Sequence, residues 1–247
     1  MSEAGRCAVV QGASRGLGLA LARRLSEDST CARVFATCRR PDEARDLQGA
    51  GVDVLRLDVT DEASIAAAAE IVAERVGAVD LLINVAGVLH DGDSVAPEKR
   101  LESITPDGLA RAFHVNAFGP LLVLKHFHPL LKHDRRAVVA NVSARVGSIG
   151  DNRLGGWYAY RGSKAALNMF TRTASIELGR KAPNAIAVAI HPGTVDTALS
   201  RPFQKSVSPE RLFAPDRAAR QILEVLDGLG PEQTGTFVAW DGSEIPW

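Results

Sequence analysis

The chain has 247 residues, and its 29 Lys plus Arg balance its 29 Asp plus Glu. A chain of this length can bury roughly three quarters of the surface its unfolded form exposes, so it needs no disulfide or metal staple and fits one domain. The balanced charge excludes a global electrostatic attraction to nucleic acid or to an anionic membrane. The three cysteines, Cys7, Cys31 and Cys38, are odd in number and read as small buried residues of a reducing compartment. No run approaches the roughly 18 apolar residues of a membrane span. The first strand begins too close to Met1 to leave room for a signal peptide, so a cytoplasmic protein is expected.

In chain order, Cys7–Val10 reads as a buried strand running into Gln11-Gly12-Ala13-Ser14-Arg15-Gly16-Leu17-Gly18, and the amphipathic helix Leu19–Leu25 follows at once. Strand, glycine turn and helix N-terminus together make an anion site, because unpaired N–H groups and the helix dipole face the turn. The plain alternative is a glycine turn that only packs a helix on a sheet. Later strands are expected at Arg33–Thr37, Val52–Leu57, Val79–Asn84, Ala137–Val142, Ala185–Ile190 and Thr236–Ala239. Helices are expected at Asp61–Val76, Pro106–Leu131 and Tyr158–Gly179. The strands are continuous apolar runs, which implies coverage on both faces. The fold class expected is therefore α/β, a doubly wound parallel sheet with helices on both faces, in one domain over residues 1–247. Three irregular stretches, 88–103, 147–157 and 194–213, read as substrate loops, the last as a mobile flap.

Tyr160-Arg161-Gly162-Ser163-Lys164 pairs a phenol with an ammonium four residues apart on one helix face. A free tyrosine, with a pKa of about 10, is a poor acid or base at neutral pH, and a fixed positive charge lowers that pKa. Tyr160 and Lys164 thus read as a tuned acid/base pair, whereas Tyr158 has Gly162 at the corresponding position and lacks a partner. Cys38 ends the second strand where a carboxylate would repel a 2′-phosphate, and Arg39 and Arg40 follow it while Arg15 lies in the glycine turn. Guanidinium forks match phosphate geometry, so NADP(H) is favoured. The alternative is that Arg39 and Arg40 are solvated loop charges. His126, His128 and His133 lack the shared face and companion ligands of a metal site, and no metal is expected.

Gly12-x3-Gly16-x-Gly18, Asn84-Val85-Ala86-Gly87, Asn116, Tyr160-x3-Lys164 and Pro192-Gly193 occur in the order seen in short-chain dehydrogenases/reductases, which this chain resembles over nearly its whole length. Gly155–Arg161 resembles the C-factor/sniffer-type carbonyl reductase branch. The resemblance implies a Rossmann-like fold and an NADP(H)-dependent oxidoreductase that interconverts a carbonyl and an alcohol. Tyr160 would act as proton donor/acceptor, with Lys164 lowering its pKa and binding the nicotinamide ribose, and Asn116 holding a water. An ordinary polar helix residue is the other reading of Asn116. For the hydroxyl that meets the substrate oxygen, the count back from Gly147 in Asn141-Val142-Ser143-Ala144-Arg145-Val146-Gly147 falls on Ala144. Ser143 is the nearest hydroxyl and the nominee, with Ser148 in reserve.

Cofactor contacts implied by the resemblance are Gly12, Ser14, Arg15, Gly16, Leu17 and Gly18 in the turn, Arg39 and Asp58 with Val59 after the second and third strands, and Asn84, Ala86 and Gly87 beneath adenine and ribose. Tyr160, Lys164, Pro192, Gly193, Val195 and Thr197 complete the set around the nicotinamide. Val85 and Gln11 depart from the usual asparagine and threonine. The partners expected are a small-molecule carbonyl or alcohol and a second copy of the chain, as a homodimer or homotetramer. An NADP-binding signalling or regulatory protein with incidental turnover is the alternative function.

Overall fold

The apolar runs pair side by side in one sheet. The structure, a computed structural model, describes residues 5–92 and 95–247; residues 1–4 of the expected domain, and Asp93 and Ser94 of the expected 88–103 loop, lie outside the described residues. The first half comprises β1 (Arg6–Gln11), α1 (Gly16–Glu27), β2 (Cys31–Cys38), the short α2 (Arg45–Gln48), β3 (Asp53–Arg56), α3 (Glu62–Val76) and β4 (Leu81–Asn84). The second comprises α4 (Pro106–Phe113), α5 (Gly119–Phe127), β5 (Ala137–Val142), α6 (Tyr158–Lys181), β6 (Ala185–His191), the two-residue β7 (Thr194–Val195) and β8 (Leu212–Phe213), α7 (Pro215–Gly228) and β9 (Phe237–Ala239). The seven-stranded sheet runs β3-β2-β1-β4-β5-β6-β9, and every neighbouring pair is parallel. Strand order reverses between β1 and β4, and ligands of such sheets bind at the carboxyl ends of the strands beside that switch.

Side chains alternate across each strand and fill two large cores, with a small third cluster of Ala189, Phe237, Ala239 and Ile245. Ala8, Val10, Leu81 and Ile83 face a layer with Leu21 and Leu25 of α1 and Ile222 of α7. Val9, Leu82 and Val139 face the other layer with Ile65 of α3 and Phe127 of α5. This double coverage makes the fold Rossmann-like, an α/β sheet buried on both sides, as the unbroken apolar runs required.

Two expectations are corrected. Pro106–Leu131 is not one α-helix: α4 and α5 flank a π-helical segment, His114–Phe118, and a 3-10 turn, His128–Leu131, follows. Pro120 has no N–H to offer the carbonyl of Asn116 four residues earlier, and Gly119 N–H instead bonds the carbonyl of His114, five residues back. Such single-turn insertions favour functional sites. The 194–213 stretch is also less irregular than its sequence suggested. β7 and β8 pair at its base, Thr194 with Leu212 and Val195 with Phe213, and 3-10 turns occupy Arg201–Ser206 and Pro209–Arg211.

Candidate active site

The glycine turn is shaped by the absence of side chains. Gly12 has φ +86°, a region that disfavours other residues, and a Cβ there would stand 2.6 Å from the backbone nitrogen of Ala86. A Cβ on Gly18 would strike the carbonyl of Gly12, so α1 sits directly on the turn. Gly16 opens the helix at φ +55°, with Thr197 Cγ2 only 3.0 Å from where its Cβ would be. Arg15, at the N-cap, makes no side-chain capping bond, and Ser14 and Arg15 are exposed. The first-turn N–H groups of Leu17 and Gly18 thus remain for an external acceptor. A Cβ at Gly12 or Gly18 would push the turn away from Ala86 or from α1, so the glycines keep these N–H groups where an anion such as a pyrophosphate could be held.

The N–H groups of Gly12 and Ala13 both bond the carbonyl of Thr37, so the turn is joined to the end of β2. There Cys38 is buried in the core, and burial pushes its thiol up from 9.0. Arg39 is exposed, while Arg40 pairs with Glu43 at 3.0 Å. Asp58 accepts from the Thr60 backbone and hydroxyl at 2.9 and 2.8 Å. Burial acts to raise its carboxyl, but those bonds, with the charges of Arg39 and Arg111, hold it below 3.8. Val59 packs against Gly119, whose Cβ would lie 2.6 Å from the valine Cβ. The buried Asn84 side chain donates to Asn141 Oδ1 at 2.8 Å, bracing β4 to β5. Ala86 and Gly87 follow at the end of β4, and Ala86 N–H bonds Gln11 Oε1 at 3.2 Å.

Asn116, on the π segment, is 0% exposed. Its Oδ1 accepts from Val88 N–H at 2.8 Å, and its Nδ2 donates to Val88 O at 2.8 Å and to Ser163 Oγ at 3.0 Å. Ser163 in turn donates to the Tyr160 carbonyl at 2.9 Å. Lys164, 3% exposed, donates to the carbonyl of Val142 at the end of β5, 2.8 Å away. A Cβ on Gly87 would lie 3.3 Å from Asn116 Oδ1 and 3.7 Å from Lys164 Nζ. The ends of β4 and β5, the π segment and α6 therefore meet at Gly87, Asn116 and Lys164, and Tyr160 lies with its ring centroid 5.9 Å from Lys164 Nζ.

The electrostatics correct one expectation. Burial pushes the Tyr160 phenol up to about 12 and lowers the Lys164 ammonium to about 8. In this arrangement burial alone moves the phenol, while the lysine ammonium is directed at the Val142 carbonyl.

The nominated hydroxyls face elsewhere. Ser143 Oγ donates to Asn168 Oδ1 at 2.6 Å in the interface between β5 and α6. Ser148 Oγ donates to the carbonyl of Pro246 at 2.5 Å and accepts from Asp151 N–H. Strand alternation, which turns neighbours to opposite faces, left Ser143 on the inner side. At the flap base, Pro192 leads into Gly193, at φ +77° with Phe213 beside its missing Cβ. Val195 is buried in β7, its carbonyl accepting from Ser200 Oγ at 2.5 Å, and Thr197 rests against Gly16. His126, His128 and His133 have separate partners, respectively Glu62, the Lys125 carbonyl and the Val79 carbonyl.

Sequence reasoning missed Ser163, Glu98 and Arg161. Ser163 lies inside the Tyr160–Lys164 motif, so its position was visible. Glu98 meets α6 across 61 residues of chain, and nothing local marks it. Among the described residues no group of three or more His, Cys, Asp or Glu could hold a metal ion, and no helix is long and apolar enough to cross a membrane.

The short chain dehydrogenase family model matches residues 6–208. C-signal of Myxococcus xanthus is 42% identical over 171 residues, covering 69% of this chain and 94% of its own length. Among solved structures, the NADPH-bound carbonyl reductase from chicken fatty liver superposes with a TM-score of 0.87 at 33% identity, over 98% of this chain and 99% of its own. The carbonyl reductase Sniffer of D. melanogaster gives 0.86 at 26% identity, over 99% and 100%.

Proposed function

Because the chain belongs to the short-chain dehydrogenase family, an oxidoreductase family that uses a nicotinamide cofactor, we propose that it is an NADP(H)-dependent carbonyl reductase or alcohol dehydrogenase with Tyr160 as its proton donor/acceptor. The observation that carries this reading is the buried Tyr160–Lys164 pair, set beside Gly87 at the ends of β4 and β5. The nicotinamide would supply a hydride to the carbonyl carbon. Its dinucleotide would be held by the Gly12–Gly18 turn, Arg39, Asp58, the Ala86–Gly87 backbone and the Pro192–Thr197 segment.

The residues of this chain then divide the proton chemistry. A phenol near 12 is protonated at neutral pH, so Tyr160 holds the proton that carbonyl reduction requires. Donation leaves a phenolate, and the Lys164 ammonium, charged below about 8, is the positive group nearest to stabilise it. Asn116 and Ser163 hold α6 against the end of β4, which fixes where the phenol stands. With Ser143 bonded to Asn168, and Ala144 at the register counted from Gly147, the substrate oxygen relies on Tyr160.

The engagement of Ser143 and Ser148 with other partners, together with the likeness to C-signal, favours one further reading, a dinucleotide-binding signalling protein with little turnover. The experiment that separates them measures NADPH consumption against a panel of aldehydes and ketones beside direct NADPH affinity. The reductase reading expects turnover that follows the carbonyl supplied; tight binding without turnover supports the signalling reading instead. A second copy of the chain is the proposed macromolecular partner.

A further inference from the structure

Trp157 is the only residue other than glycine with positive φ among the described residues, at 54°, and it follows Gly155 and Gly156 at 63° and 66°. Three successive left-handed residues form a turn that tryptophan opposes, at a cost typical of strained functional sites. The turn is gripped from two sides. On one side Arg161 donates from Nε to the carbonyls of Gly155 and Gly156, at 3.2 and 3.0 Å, and from Nη1 to the carbonyl of Val146 at 3.1 Å. One guanidinium thereby closes the 147–157 loop at both ends.

On the other side stands Glu98, only 7% exposed. Its backbone carbonyl accepts from Trp157 N–H at 2.5 Å, and its carboxylate accepts from Ala159 N–H at 3.2 Å in the first turn of α6. The result is a fixed indole. Its ring lies edge-on to Tyr160, with centroids 6.3 Å apart, and tilted against Phe203 of the flap at 5.0 Å. Phe203 in turn meets His90 edge-on at 5.8 Å.

We propose that Glu98 and Arg161 clasp the Gly155–Trp157 turn in its left-handed form, and that the indole so held selects carbonyl substrates bearing a flat aromatic group. The inference rests on the reading of Tyr160 as the group that meets the substrate oxygen, which puts the substituent of the carbonyl beside Trp157 and Phe203. A flat ring can stack or meet these two rings edge-on, geometries worth about 0.5–1.5 kcal/mol beyond area burial, or roughly two- to tenfold in affinity. Glu98 and Arg161 are positioning residues: they touch the turn, not the substrate.

The test uses acetophenone and cyclohexyl methyl ketone, methyl ketones with a flat and a puckered ring. Their ratio is read as kcat/KM with NADPH and, irrespective of turnover, as affinity by equilibrium dialysis with the NADP-bound protein. Comparing the ratio between variants cancels the intrinsic reactivity of the ketones. Trp157→Leu should lower the acetophenone preference several-fold, and Arg161→Met and Glu98→Leu should do the same while NADPH affinity stays within twofold. Glu98→Gln, which keeps an acceptor oxygen, should retain the preference. An unchanged ratio in Trp157→Leu, or retention of the preference in both Arg161→Met and Glu98→Leu, overturns the proposal. If wild type reduces neither ketone, the carbonyl panel decides the reductase reading, and the dialysis ratio decides the role of Trp157.

Discussion

Ser143 Oγ is bonded to Asn168 Oδ1 at 2.6 Å, with both side chains buried between β5 and α6. The hydroxyl nominated for the substrate oxygen is thus a structural tie between the sheet and the helix that carries Tyr160. Ser143→Ala should cost about 1 kcal/mol of stability in urea unfolding, the usual worth of a buried hydrogen bond, and change kcat by less than twofold. Ala144→Ser, which places a hydroxyl at the register counted from Gly147, should raise kcat. A loss on the order of 10²-fold in Ser143→Ala, the scale of a transition-state donor, would return the role to Ser143.

The pH dependence follows from Lys164. Its ammonium is charged below about 8 and neutral above, so NADPH affinity and carbonyl reduction should be level from about pH 6 to 7.5 and decline as pH rises through about 8. Tyr160, near 12, adds no inflection in that range. Lys164→Met should lower both quantities and remove the inflection near 8. A profile of the same shape in Lys164→Met would assign the titration to another group.

The proposed preference for NADPH rests on Arg39. It is exposed at the end of β2, whereas Arg40 is paired with Glu43. A charge-assisted bond to a 2′-phosphate contributes roughly 1.5–3 kcal/mol, so Arg39→Ala should raise the KM for NADPH about ten- to a hundredfold and leave NADH nearly unchanged. Arg39→Asp should go further and favour NADH. Cys38→Asp is a poor substitute for that test, because Cys38 lies in the core and an aspartate there would bury a carboxylate. Equal losses for both cofactors would show Arg39 to be a loop support.

Self-association is expected through α5 and α6. Phe118, Leu121, Met169 and Ile176 are exposed, Met169 at 63% and Ile176 at 56%, and they leave a helix face without a partner. Light scattering at micromolar concentration should give a homodimer or homotetramer, reduced to monomer by Met169→Asp with Ile176→Asp. Monomeric wild type at that concentration counts against the interface.

How much of this was legible depended on whether each cause was local. The positive φ at Gly12 and Gly16 follows from glycine spacing, and the sheet follows from apolar runs such as Val79–Asn84. The π segment was in principle legible, since Pro120 removes the donor four residues after Asn116, yet the apolar stripe of the helix masks it. Strand alternation turned Ser143 away from the site, as the count from Gly147 already implied. The positions of Glu98 and of the Trp157 ring were not legible, because contacts across long stretches of chain fix them. The direction of the Tyr160 shift was hidden for a related reason: spacing reveals the lysine partner, and only tertiary structure reveals the burial that moves the phenol.

The central claim is that the Tyr160 oxygen delivers the proton, and Tyr160→Phe tests it most directly, with NADPH turnover and NADPH affinity measured on the same preparation. The change removes only the ionisable oxygen from a buried ring. The account predicts loss of carbonyl reduction by at least about 10²-fold, the scale of general acid catalysis, with NADPH affinity within a few-fold of wild type. Near-native turnover in Tyr160→Phe would contradict it.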